Sequence, residues 1–81
     1  MEKDMNKARR KELQKAMDLL DEASSIIEAC RDEEQEAYDN LPDGIQESEK
    51  GEVMGEYIYQ MDEAIDIAES ISNILAEITG A

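Results

Sequence analysis

Apolar residues return at seven-residue intervals along most of this chain, in two separate stretches. In the first stretch Leu13, Leu20, Ile27 and Leu41 keep one such spacing, and Ala16, Ala23, Cys30 and Ala37 keep another, three positions later. Steps of three and four put these residues on one face of a helix, as the a and d rails of a heptad seam. One rail is large and the other small. Small residues let helix axes approach closely, so the alanine rail predicts a tight antiparallel contact. It also places Cys30 in the packing as a small hydrophobe. Met17, Leu19 and Ile26 widen the apolar stripe beyond a two-helix seam.

The second stretch repeats the pattern more regularly. Met54, Met61, Ala68 and Leu75 form one rail, and Tyr57, Ala64, Ile71 and Ile78 form the other. Ile58 and Ile65 flank it on one side, Ile67 and Ile74 on the other. Between the stretches comes Asn40-Leu41-Pro42-Asp43-Gly44, where Pro42 cannot continue a preceding helix and restricts Leu41. A single helical turn fits Pro42 to Gln46. Ser48 then suits an N-cap with Glu49 and Glu52 in the first turn, and Gly80 suits a C-terminal stop.

The fold class expected is therefore all-α: one domain over residues 1–81, with a helix over about 5–39, a turn over 40–48 and a second helix over about 49–79. The two helices match in length and form an antiparallel hairpin. Each can cover only one stripe of the other, which leaves Leu19, Ile26, Ile67 and Ile74 in water. A fully buried Ile or Leu contributes roughly 1.5 to 3 kcal/mol, so these residues favour a homodimeric four-helix bundle. The oligomer seam expected comprises Leu13, Leu20, Ile27, Tyr57, Met61, Ile71, Leu75 and Ile78. Two weak places stand out. Arg31 to Glu36 is polar all round, with Glu34 where the large rail calls for an apolar residue, which predicts a local break or an exposed end. Gly51 and Gly55 each cost roughly 1 kcal/mol inside a helix, which predicts a frayed or flexible start to the second one.

Size sharpens the expectation of self-association. A chain of 81 residues has a thin core, and such scaffolds rely on disulfides, metal or oligomerisation. Cys30 is the sole cysteine and there is no histidine, so neither a disulfide within the chain nor an ordinary zinc site is available. No apolar run reaches membrane-spanning length and no signal-peptide core follows the N-terminus; with one free thiol this predicts a cytoplasmic protein.

Charge narrows the partners. The net charge is −14. Residues 1 to 15 carry a net of +3, and residues 28 to 52 hold ten acids against Arg31 and Lys50, a net of −8. Such a surface repels phosphates, so direct nucleic-acid binding and anionic membranes are disfavoured, and a basic partner is favoured. The acidic tip expected to make contact comprises Asp32, Glu33, Glu34, Glu36, Asp39 and Asp43.

Other chemistry finds little support. A calcium loop counted from Asp39 matches at Asp43 and Gly44 but fails at Leu41 and at Lys50, where the bidentate Glu belongs. Carboxylate di-iron sites in bundles pair Glu with His, which this chain lacks. There is no Gly-rich phosphate loop and no nucleophile elbow. No catalytic, metal-binding or cofactor-binding residue is assigned, and the expectation is a non-enzyme.

The segment from Asp32 to Glu52, DEEQEAYDNLPDGIQESEKGE, preceded by the basic opening NKARRKEL from Asn6 to Leu13, resembles a group of short uncharacterised proteins. These occur in Gram-positive gut bacteria and their phages or mobile elements. The resemblance spans most of the chain and brings no stated activity. It implies a two-helix hairpin with a Ser-led second helix, and an accessory or anti-defence gene product. Small acidic inhibitors of CRISPR and restriction systems are similar in size and charge, by analogy alone. Two functions follow. One is an acidic interaction factor that occludes a nucleic-acid-binding host or defence protein. The other is an assembly module whose apolar seams are the working interface.

Overall fold

The structure is a computed structural model and describes residues 6–80; the helix start expected near residue 5, and Lys3 of the basic run, lie outside the described residues. Three helices follow in order: α1 (Lys7–Asp39), α2 (Asp43–Gln46) and α3 (Glu49–Thr79). The long helices α1 and α3 pack on one another as an antiparallel hairpin, within an envelope of 65 × 16 × 14 Å. No strand occurs among the described residues.

Each boundary has a local cause. The Asn6 side chain accepts from the Arg9 amide at 2.8 Å, which satisfies one of the free donors at the start of α1. At the other end, the Asn40 amide donates to the Glu36 carbonyl and the Leu41 amide to that of Tyr38, both at 3.1 Å, before Pro42 stops the helix. The Pro42 carbonyl then accepts from Ile45 at 2.8 Å and Gln46 at 3.1 Å, closing the single turn of α2. The Gln46 side chain reaches back to the Tyr38 carbonyl at 3.0 Å and ties α2 to the end of α1. Ser48 occupies the N-cap of α3, but its hydroxyl donates backwards to the Ile45 carbonyl and makes no capping bond. Gly80 ends α3 with φ 77°, a left-handed conformation that suits glycine.

The segment Arg31 to Glu36 is unbroken helix. Its polarity is accommodated by an ion pair rather than by a kink: Arg31 Nη1 lies 2.7 Å from Asp62 of α3, and its Nη2 lies 2.9 Å from Asp32.

The contact between the helices is displaced by one rail from the sequence expectation. On α1 the half-buried rows are Leu13, Leu20, Ile27, Glu34 and Leu41, and beside them Arg10, Met17, Ser24, Arg31 and Tyr38. Ala23, Cys30 and Ala37 are exposed, so the small rail does not make the close contact expected of it. On α3 the covered rows are Met54, Met61, Ala68 and Leu75 together with Gly51, Ile58, Ile65, Ser72 and Thr79. Tyr57, Ile71 and Ile78, expected in the seam, are exposed. The reason is that α3 carries three adjacent rails that are apolar or small, and α1 two such rails beside a mixed row of Arg10, Met17, Ser24, Arg31 and Tyr38, while a pair of helices uses only two rails of each. The Arg31–Asp62 ion pair lies on the side toward which the contact has turned.

The two glycines of α3 differ. Gly51 is buried where α2 meets α3, and an added methyl there would overlap the backbone carbonyl of Gln46. At Gly55 a methyl would meet nothing. We therefore expect Gly51→Ala to destabilise the protein by about 1 to 3 kcal/mol through overpacking. Gly55→Ala should stabilise it by roughly 0.5 to 1 kcal/mol through helix propensity. Urea denaturation checks both, and equal effects at the two sites would contradict the close approach at Gly51.

Candidate functional site

Among the described residues no hydrophobic side chain is fully buried. The accessible surface is 6265 Å², against about 4,900 Å² for a typical folded monomer of this mass. The hairpin thus exposes roughly a quarter more than its size requires, and much of its exposed apolar surface is concentrated on one face.

That face is built from the rails left outside the contact. On α1 it runs Leu19, Ala23, Ile26 and Cys30, with half-covered Ala16 at its open end; on α3 it runs Tyr57, Ala64, Ile67, Ile71, Ile74 and Ile78. Leu19 and Ile26 are each 59% exposed, Ile67 is 54% and Ile74 is 57%. Both strips lie on the same side of the hairpin, because Ile27 and Cys30 share one open groove with Tyr57, Gln60, Met61 and Ala64. The groove floor is apolar and its tip-side lip carries Glu34, which is half-buried.

The opposite side is polar. Arg31 crosses from α1 to Asp62 there, and its ordinary pKa is raised by the hydrogen bond to Asp62 first and by that to Asp32 second. The guanidinium is held charged across any usual pH range. Residues Asp66, Glu69 and Asn73 continue α3 along this polar flank.

The predicted acidic residues cluster at the closed end of the hairpin. Asp32, Glu33, Glu36, Asp39 and Asp43 are exposed, whereas Glu34 turns toward the groove. Two of them are engaged: Asp32 with Arg31, and Asp39 with the Gln35 amide at 3.0 Å. Among the described residues no group of His, Cys, Asp or Glu has an arrangement that could hold a metal ion. No helix among them is long and apolar enough to cross a membrane. Of the predicted seam, Leu13, Leu20, Ile27, Met61 and Leu75 lie between the helices, half-buried, while Tyr57, Ile71 and Ile78 lie on the open face. Sequence reasoning missed Arg31 and Asp62 as structural partners. Nothing in a pattern of apolar spacing signals an ion pair between positions 31 residues apart.

No family model matches the chain, and comparison with curated proteins and with solved structures likewise returns no match.

Cys30 reports on the open groove directly. In dilute native protein its thiol should react with a maleimide at the rate of an accessible cysteine, and any covering of the groove should slow the reaction several-fold as concentration rises. A thiol that reacts only on unfolding would place Cys30 between the helices instead.

Proposed function

We propose that the protein is a non-catalytic interaction module that works as a homodimeric four-helix bundle, with the apolar face of the hairpin as its working surface. The observation that carries this reading is the absence of any buried hydrophobic residue in the described hairpin, set against one continuous exposed apolar face. Stability in a small domain comes from removing apolar surface from water. A hairpin that has covered only one stripe per helix has not yet done so. The face is about 30 Å long at 1.5 Å per residue and two helices wide, hence on the order of 600 Å² in projection. That is near the ~800 Å² per partner of a standard protein interface.

A mutation on this face tests assembly without touching the packing inside the hairpin. Wild-type protein should sediment at twice the chain mass of 9.1 kDa. Ile67→Glu with Ile74→Glu replaces two side chains that are more than half exposed in the hairpin. It should yield a 9.1 kDa species with reduced helicity and lower thermal stability. A helical, cooperative wild-type monomer would refute the reading.

A second reading is favoured by the state of the tip. Five of its six predicted carboxylates are exposed, and Arg31, one of two basic residues in that region, is occupied by Asp62 and Asp32. The excess of acids over residues 28 to 52, a net of −8, gives the tip the negative field that a phage or mobile-element factor occluding a basic nucleic-acid-binding protein would need. On this reading Glu36→Lys, Asp39→Lys and Asp43→Lys together abolish salt-sensitive capture of such a protein while circular dichroism is unchanged. Undiminished capture by the triple variant removes it.

A further inference from the structure

The apolar face runs along the middle of the hairpin. It extends from Ala16 to Cys30 along α1 and from Tyr57 to Ile78 along α3, and its aliphatic middle holds Ile26 and Ile67. The Arg31–Asp62 pair fixes which residues stand side by side in the hairpin, and by that register Ile26 and Ile67 are level with each other. A two-fold axis through this level, perpendicular to the helices, brings the aliphatic middle of one copy onto that of a second. An axis parallel to the helices does so too. Contact at the shared middle does not choose between the two arrangements.

Charge does. Residues 7 to 15 at the open end carry five basic residues and Glu12, a net of +4, while residues 28 to 52 at the closed end carry −8. In a parallel pair the two −8 ends stand side by side. In an antiparallel pair they are separated along the bundle, and Lys7, Lys11 and Lys15 come level with the partner's residues 37 to 45, where the partner's Asp39 and the partner's Asp43 stand. Within α1 the charges oppose the helix dipole: there is no acidic residue in its first turn and no basic residue in its last. The C-terminus of α3, at the same end as Lys7, supplies one negative pole for the basic run. At the tip the N-terminus of α3 supplies one positive pole, with Glu49 and Glu52 in its first turn.

We infer that the occupant of the apolar face is a second copy of this chain laid antiparallel, with the basic start of each α1 against the acidic tip of its partner. The inference rests on the reading of the protein as a homodimer, and the test separates the two. Cys30→Ser removes the native thiol from an exposed position, and Gly44→Cys adds one at the tip, where a side chain meets nothing. With a spin label at residue 44, the antiparallel dimer places the two labels roughly 50 Å apart at 1.5 Å per residue. A parallel dimer places them within roughly 20 Å, the width of two helices. Labels at Ala8→Cys, toward the opposite end, should likewise lie far apart in the antiparallel dimer and close together in the parallel one. Both distances long supports the arrangement, and either one short overturns it while leaving the homodimer intact. No intermolecular distance, with sedimentation at the mass of one chain, overturns both.

Discussion

Everything in this molecule depends on how much of a helix another helix can cover. A two-helix hairpin hides one stripe on each partner, two rails wide, and the apolar residues of this chain spread beyond that width on both helices. The consequence is visible in the burial of individual side chains: Leu20, Ile27, Met61 and Leu75 are only half-covered, and Leu19, Ile26, Ile67 and Ile74 face outward. The hydrophobic term that must offset chain entropy is therefore incomplete within one copy. The turn, the caps and the ion pair define a shape, but they act through bonds that each contribute only about 1 kcal/mol net.

The large features were legible in the sequence because they rest on strong local physics. Heptad spacing without Pro or Gly from Met5 to Asp39, a Pro-Asp-Gly interruption and a closing Gly80 are sufficient for two long helices and a turn. What escaped was the choice of rail. Rows at Leu13, Ala16 and Met17 are all compatible with a seam, and rotating α1 by about 50° exchanges one pair for another at ~100° per residue. The alanine row suits close approach, yet the helix turns toward Met17, Ser24, Arg31 and Tyr38 instead. A long-range ion pair lies on that side, and side-chain reach across a groove is not encoded in periodicity. The cap at Ser48 shows a similar limit. The residue type fits the position, but the hydroxyl donates to the Ile45 carbonyl and accepts from no first-turn amide.

The acidic tip and the apolar face belong to different parts of the hairpin, so the two readings proposed above call on separate surfaces. The face is broad and long, and its central rows at Ile26 and Ile67 are aliphatic. The tip is compact, closed by α2 and dominated by carboxylates on three short segments. Burial of the first is a matter of area and shape, whereas engagement of the second is set by ionic strength and geometry.

The salt-bridged flank gives the hairpin a front and a back. A hairpin apolar on both flanks would offer every added copy a fresh sticky surface, and growth would continue into fibres or sheets. Arg31 and Asp62 lie on one flank and the isoleucines on the other, so in the dimer proposed above a single encounter would use up the greasy surface. Self-complementary contact of that kind terminates in a closed point group rather than a polymer. In that proposed assembly a single charged crossing between two helices would set an upper limit on size.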